Sequence, residues 1–106
     1  MQIFNIKDFS GGWYIGNFNP SILQTKDFEI GFKLHLKGDV WPAHYHKISK
    51  EYNLLISGLM VIQNTEIKPG DIFIIEQNEV ADPVFLEDCS VITVKVPSSP
   101  GDKYVL

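Results

Sequence analysis

Two histidines one residue apart, His44 and His46, followed by Glu51, are the residues of this sequence best equipped for chemistry. On a strand, alternate side chains share a face, so His44 and His46 point one way and Tyr45 the other. Their α-carbons would lie about 6.6 Å apart, a span that two imidazoles can close on one ion. The segment KISK, residues 47–50, predicts a turn that returns Glu51 at the head of the next strand. Two neutral imidazoles and a carboxylate aimed at one point describe a divalent-metal site of borderline hardness, suited to iron, manganese, nickel or zinc. Such a site keeps open coordination positions for Lewis-acid or non-haem iron chemistry on a small molecule. The plainer alternative is a pocket lined by the same three residues without a metal, Glu51 fixing the tautomer of one imidazole.

The elements that must position these residues read as strands. Helical periodicity is absent, and short apolar-rich runs are separated by turn residues. WYIGNF, after Gly11-Gly12, predicts a first strand. From Phe28 to Lys37 the chain alternates, with Phe28, Ile30, Phe32, Leu34 and Leu36 on one side and Glu29, Lys33, His35 and Lys37 on the other. On that pattern His35 is expected on the solvated side. LMVIQ, EIKPGDIFIIE, VADPVFLED and SVITVKVP supply further strands, with turn signals at Ser57-Gly58, Asn64-Thr65 and Pro69-Gly70-Asp71. Strands at this spacing predict an all-β sandwich or barrel. Trp41 and Tyr45 are expected to pack in its wall or at a subunit contact, and Lys47 and Lys50 to be solvated turn charges.

Gly38, His44, His46, Glu51 and Gly58 stand in a register that resembles the first sequence box of the cupin family. The resemblance implies a single antiparallel β-barrel, or double-stranded jelly roll, that holds a metal through His44, His46 and Glu51. The family's second box resembles Pro69-Gly70-Asp71 and the run Ile72 to Ile75, and then the pattern departs. Glu76 stands where proline is usual, Asn78 where glycine is usual, and Ala81 where a further histidine belongs. Asp82 is next door and would face the other way unless a bulge near Pro83 turned it inward, which makes it a weaker fourth ligand candidate. Glu76, near the barrel mouth, is a weaker ligand-binding candidate. The resemblance also implies a homodimer paired through the outer face of one sheet.

A length of 106 residues suits one domain, residues 1–106. All nine basic residues are lysine, and the net charge is −4. That balance speaks against a nucleic-acid partner, and the missing arginine removes the bidentate fork usual for 2-oxo acid anchoring. Cys89 is the only cysteine, so no internal disulfide forms, and its strand context reads as a small apolar residue. With no charged-then-apolar leader and no long apolar run, no membrane partner is expected and a cytoplasmic location is the default expectation. The function expected is a cupin acting on or binding a small polar molecule, a carbohydrate or organic acid, through one divalent transition metal. The alternative is a non-catalytic small-molecule-binding barrel with a metal-free site.

Overall fold

The computed structural model describes residues 1–106. Two 3-10 turns at Ile6–Asp8 and Ser10–Gly12 precede ten strands. These are β1 (Trp13–Ile15), β2 (Glu29–His35), β3 (His44–Tyr45), β4 (Lys50–Ser57), β5 (Met60–Ile62), β6 (Thr65–Ile67), β7 (Ile72–Ile75), β8 (Val84–Phe85), β9 (Cys89–Val96) and β10 (Tyr104–Val105). Every strand pair is antiparallel. A five-stranded sheet in the order β1-β2-β9-β4-β7 packs on a three-stranded sheet, β6-β5-β8, and a two-stranded pair, β10-β3, flanks the opening between them. The architecture is the jelly roll expected, although the sheets are not hydrogen-bonded into one closed barrel.

Turn chemistry sets the joints. Gln63 and Asn64, both at positive φ (50° and 58°), close the β5–β6 hairpin. That is the pair of left-handed residues a two-residue hairpin turn needs. Gly58, at φ 95°, turns β4 toward β5, and a Cβ there would lie 2.3 Å from the Asp88 carbonyl oxygen. Only glycine fits that position.

The register of β2, β9, β4 and β7 sorts side chains by row. Glu29–Lys95–Glu51–Ile75 crosses the inner face, followed by Gly31–Thr93–Asn53–Phe73 and then Lys33–Val91–Leu55. On β9 and β4 the rows grade from ionisable (Lys95, Glu51) through polar (Thr93, Asn53) to apolar (Val91, Leu55). At the apolar end Leu55, Val91 and Cys89 meet Met60, Ile62, Ile67 and Phe85 of the smaller sheet in one buried cluster. The cluster closes one end of the sandwich and leaves the polar end open as a cavity.

The alternation of β2 is correct, but its inward side is the polar one. Glu29 is buried, and Lys33 and His35 are half-buried, whereas Leu34 on the other side is 71% exposed. The cause is Gly31, which lies on the inner face with the Trp13 indole against it; a Cβ there would sit 2.7 Å from the ring. The indole can cover β2 only on the side that lacks a side chain, and this fixes which side is inside.

Candidate ligand-binding cavity

Backbone and carboxylate contacts fix the two site histidines. His44 exchanges both backbone hydrogen bonds with Ala81, N to O at 3.0 Å and 2.8 Å, while β10 pairs along the other edge of β3. Beyond His46 the chain turns around one buried carboxylate. The amides of Lys47, Ile48 and Ser49 donate to Asp102 at 3.0, 2.9 and 2.9 Å. Burial would raise the Asp102 pKa, but the Ser49, Ile48 and Lys47 donors outweigh it and hold the carboxyl below its ordinary value. The carbonyl of His46 accepts from the Asn78 amide at 2.6 Å. Glu51, two residues past the turn, enters β4 directly opposite Lys95 of β9.

His44, His46 and Glu51 therefore reach the same cavity. The imidazole rings of His44 and His46 stand edge to face, 5.4 Å between centroids and 89° between planes. His44 Nδ1 lies 3.0 Å from the Pro42 carbonyl oxygen, which requires the proton on Nδ1 and leaves Nε2 with its lone pair. His46, 2% exposed, faces Lys95 Nζ with Nε2 at 3.3 Å and Glu51 Oε2 with Nδ1 at 3.5 Å. Burial, and then the Lys95 ammonium, lower the pKa of His46 by more than Glu51 raises it. A neutral ring protonated on Nδ1 accepts from Lys95 and turns its N–H toward Glu51. That N–H makes no hydrogen bond of good geometry, and it is a buried polar atom without a partner. Lys95 also lies 3.8 Å from Glu51 Oε2. The chemistry open to this arrangement is binding of polar groups at Lys95, with His46 able to carry a proton between the ammonium and the carboxylate.

The cavity around these groups has a volume of about 240 Å³. Trp13 and Trp41 form part of its wall, and Lys33 and Lys103 join Lys95 in lining it. Lys33 and Lys95 lie over the Trp13 ring at 5.1 and 4.9 Å, and Lys103 over Trp41 at 4.5 Å. Thr93 donates to Asn53 at 2.7 Å deeper in. His35 stacks on Phe85, 4.1 Å between centroids, and meets Trp41 edge-on. Burial, followed by Lys33, lowers its pKa.

Several residues stand elsewhere than expected. Asp82 stays on the outside, accepting the Gln63 amide at 2.8 Å, while Ala81 is the inward, buried neighbour. No bulge turns Asp82 inward, because the Ala81–His44 bridge keeps the local register. Glu76 pairs with Lys50 at 3.2 Å on the surface and does not line the cavity. His35 and Trp41, read as solvated residue and wall residue, both line the cavity. Tyr45 points away and stacks on Tyr104. Lys33, Lys95, Lys103, Trp13 and Asp102 were missed. The signal for Lys95 was present in SVITVKVP, where a lysine shares the alternation of Val91 and Thr93 rather than that of Ile92, Val94 and Val96.

The donor set does not fit a divalent metal. No three His, Cys, Asp or Glu side chains come together closely enough to hold an ion. The Nε2 of His46 is engaged by Lys95, and its Nδ1 is directed at Glu51 rather than at a point shared with His44. An ammonium already stands among the groups that were expected to bind the ion, with Lys33 and Lys103 lining the same cavity.

Neither a protein-family model nor a curated protein matches the sequence. Solved structures do match. An uncharacterised conserved protein with a double-stranded β-helix domain from Klebsiella pneumoniae is 20% identical with a TM-score of 0.72, over 98% of this chain and 90% of that chain. The KdgF structure from Halomonas sp. is 22% identical with a TM-score of 0.65, over 72% of this chain and 74% of that one. The DMSP lyase DddQ from Ruegeria pomeroyi is 10% identical with a TM-score of 0.73, over 88% of this chain and 49% of that chain. At these identities the likeness is one of fold, and the fold of this chain is the all-β double-stranded β-helix of the cupins.

Proposed function

We propose that this cupin-fold chain binds a small polar molecule, a carbohydrate or organic acid, in the cavity around His44, His46 and Glu51, and that it does so without a metal. One observation carries the reading: the Lys95 ammonium lies 3.3 Å from His46 Nε2 and 3.8 Å from Glu51 Oε2, supplying from the chain itself the positive charge that an ion would bring. A divalent ion would have to displace that ammonium, strip the lone pair of His46 from it, and sit beside two further lysines. The ligand then meets Lys95 as donor, the lone pair of His44 Nε2 as acceptor, and the Asn53–Thr93 pair below.

The test is isothermal titration of manganese, nickel, zinc and ferrous iron into protein prepared without a histidine tag. The expected result is no stoichiometric binding by the parent chain. Lys95→Met, which removes the ammonium and keeps the stem, should bind nickel or zinc at least about tenfold more tightly than the parent. Stoichiometric metal binding by the parent chain that is lost in His46→Ala would reinstate the three expected ligands and end the metal-free reading.

The chain is further proposed to pair as a homodimer through the outer face of the five-stranded sheet. Its rows Ile30–Val94–Tyr52–Ile74 and Phe32–Ile92–Leu54–Ile72 carry no charge, and the Lys50–Glu76 pair stands only at the edge. Two copies of such a face related by a two-fold axis are complementary without further specialisation.

A further inference from the structure

The lysines of the cavity outnumber its carboxylates. The chain as a whole is acidic, at −4, yet three of its nine basic residues line one cavity in which Glu51 is the only acidic residue. Lys33 donates to the Gly11 carbonyl and has no carboxylate partner. Lys103 rests on the Trp41 ring and has none either. Lys95 shares Glu51 with His46. Three ammoniums face one carboxylate in this cavity. Glu29 and Asp102 stand beside Lys95 and Lys103 in the adjoining groove but accept from backbone amides and ion-pair with neither. Positive charge is therefore in excess in a partly closed space, where the field is less screened than in water.

We propose that the ligand of this cavity is a small organic dianion of dicarboxylate size, its negative charges met by Lys33, Lys95 and Lys103. This rests on the small-molecule-binding reading above and narrows it to one charge class. Position supports it: Lys33 and Lys95 lie 5.1 and 4.9 Å from the centroid of one indole, and with Lys103 they line the same cavity. The indoles hold the ammonium heads over their faces and leave N–H donors free for carboxylate oxygens. Size supports it too. A cavity of about 240 Å³, open to solvent on one side, has room for a four-carbon dicarboxylate. Burial and then mutual repulsion already lower the pKa values of Lys33 and Lys103, a cost that a bound dianion relieves.

The experiment is isothermal titration of four probes in matched pairs at neutral pH and low ionic strength: succinate against its uncharged diamide succinamide, and galacturonate against galactose. Succinate should bind at least about tenfold more tightly than succinamide, and its affinity should fall as salt is added. Lys33→Gln and Lys103→Gln should each weaken succinate by about three- to tenfold, and succinamide by less than succinate. If succinamide binds as tightly as succinate, or galactose alone binds, the charge assignment is overturned while the small-molecule reading stands. Silence from all four probes overturns both. Should Lys33→Gln fail to fold, because Gly11 loses its donor, the matched pairs on the parent chain still decide.

Discussion

Across the inner face of the five-stranded sheet runs Glu29–Lys95–Glu51–Ile75; one residue along, on the outer face, runs Ile30–Val94–Tyr52–Ile74. The first row holds two carboxylates and an ammonium facing the interior, and the second holds neither facing out. A sheet with one buried face ordinarily does the reverse. The inner face is tolerable because its polar groups find partners inside the molecule. Glu29 accepts from the Ser99 amide, Asn53 from Thr93, and Lys95 meets His46 and Glu51. The outer face has no such internal solution. Leu34 and Ile72, 71% and 70% exposed, can be covered only by something outside the chain. On the proposed reading, the inner face receives a polar ligand and the outer face pairs with an apolar partner.

The largest expected effect comes from charging the outer face. Leu34→Asp together with Ile72→Asp should raise the dimer dissociation constant by at least about a thousandfold, about 4 kcal/mol. In the dimer each introduced carboxylate would have to be buried unpaired in an apolar interface. The same pair should move the stability of the separated chain by about 0.5 kcal/mol or less, because both sites are open in it. Sedimentation velocity at micromolar concentration reads the first effect and denaturant titration the second. A parent chain that sediments as a monomer would remove the contrast between the faces at its outer side.

Next in size is the clamp that holds the inner site together. Asp102→Ala removes the acceptor of three amides, leaving that of Ser49 buried and those of Lys47 and Ile48 part-buried without it, which should cost about 3 kcal/mol and lower Tm by about 10–20 °C. Glu76→Ala, removing an exposed partner of Lys50, should cost about 0.5 kcal/mol or less. The Asp102 pKa lies below its ordinary value, so its contribution is fully present above about pH 3.9 and is lost as pH falls through the depressed value. Equal losses in the two variants would mean that the clamp does not hold the turn after His46.

The contrast between the faces also explains what could be read from the sequence. The register Gly38, His44, His46, Glu51, Gly58 gave the fold, and it brought His44, His46 and Glu51 to one cavity, because strand alternation and a turn are local properties. The alternation of β2 was equally plain, yet hydrophobicity alone assigned its polar side to solvent. That assignment needed Trp13 against Gly31, a contact between residues 18 apart in the chain. Lys95 and Lys103 reach the cavity from the far end of the sequence, through the β9 register and the β10–β3 pair. For Lys95 the local signal was its alternation with Val91 and Thr93 in SVITVKVP, but which face of that strand lies inside is a long-range property, so the cation was harder to read than the histidines.

The smallest effect tests whether the inner face is neutral at its histidines. The pKa of His46 is lowered by burial and then by Lys95, and that of His35 by burial and then by Lys33. A depressed histidine is less ready to take a proton when folded than when unfolded. Stability from both is therefore fully present above the unfolded value of about 6.5 and is lost as pH falls below it toward the depressed values. Once both states are protonated the loss stops. Each histidine can contribute a slope of at most about 1.4 kcal/mol per pH unit. Denaturant midpoints taken from about pH 7.5 down to about pH 5 should decline, and His46→Gln, which cannot take up a proton, should flatten part of the decline. A parent chain that instead gains stability on acidification, with the gain lost in His46→Gln, would mean that Glu51 outweighs Lys95 and that His46 becomes an imidazolium. The inner face would then hold one more positive charge, and the neutral form of His46 beside Lys95 would be wrong.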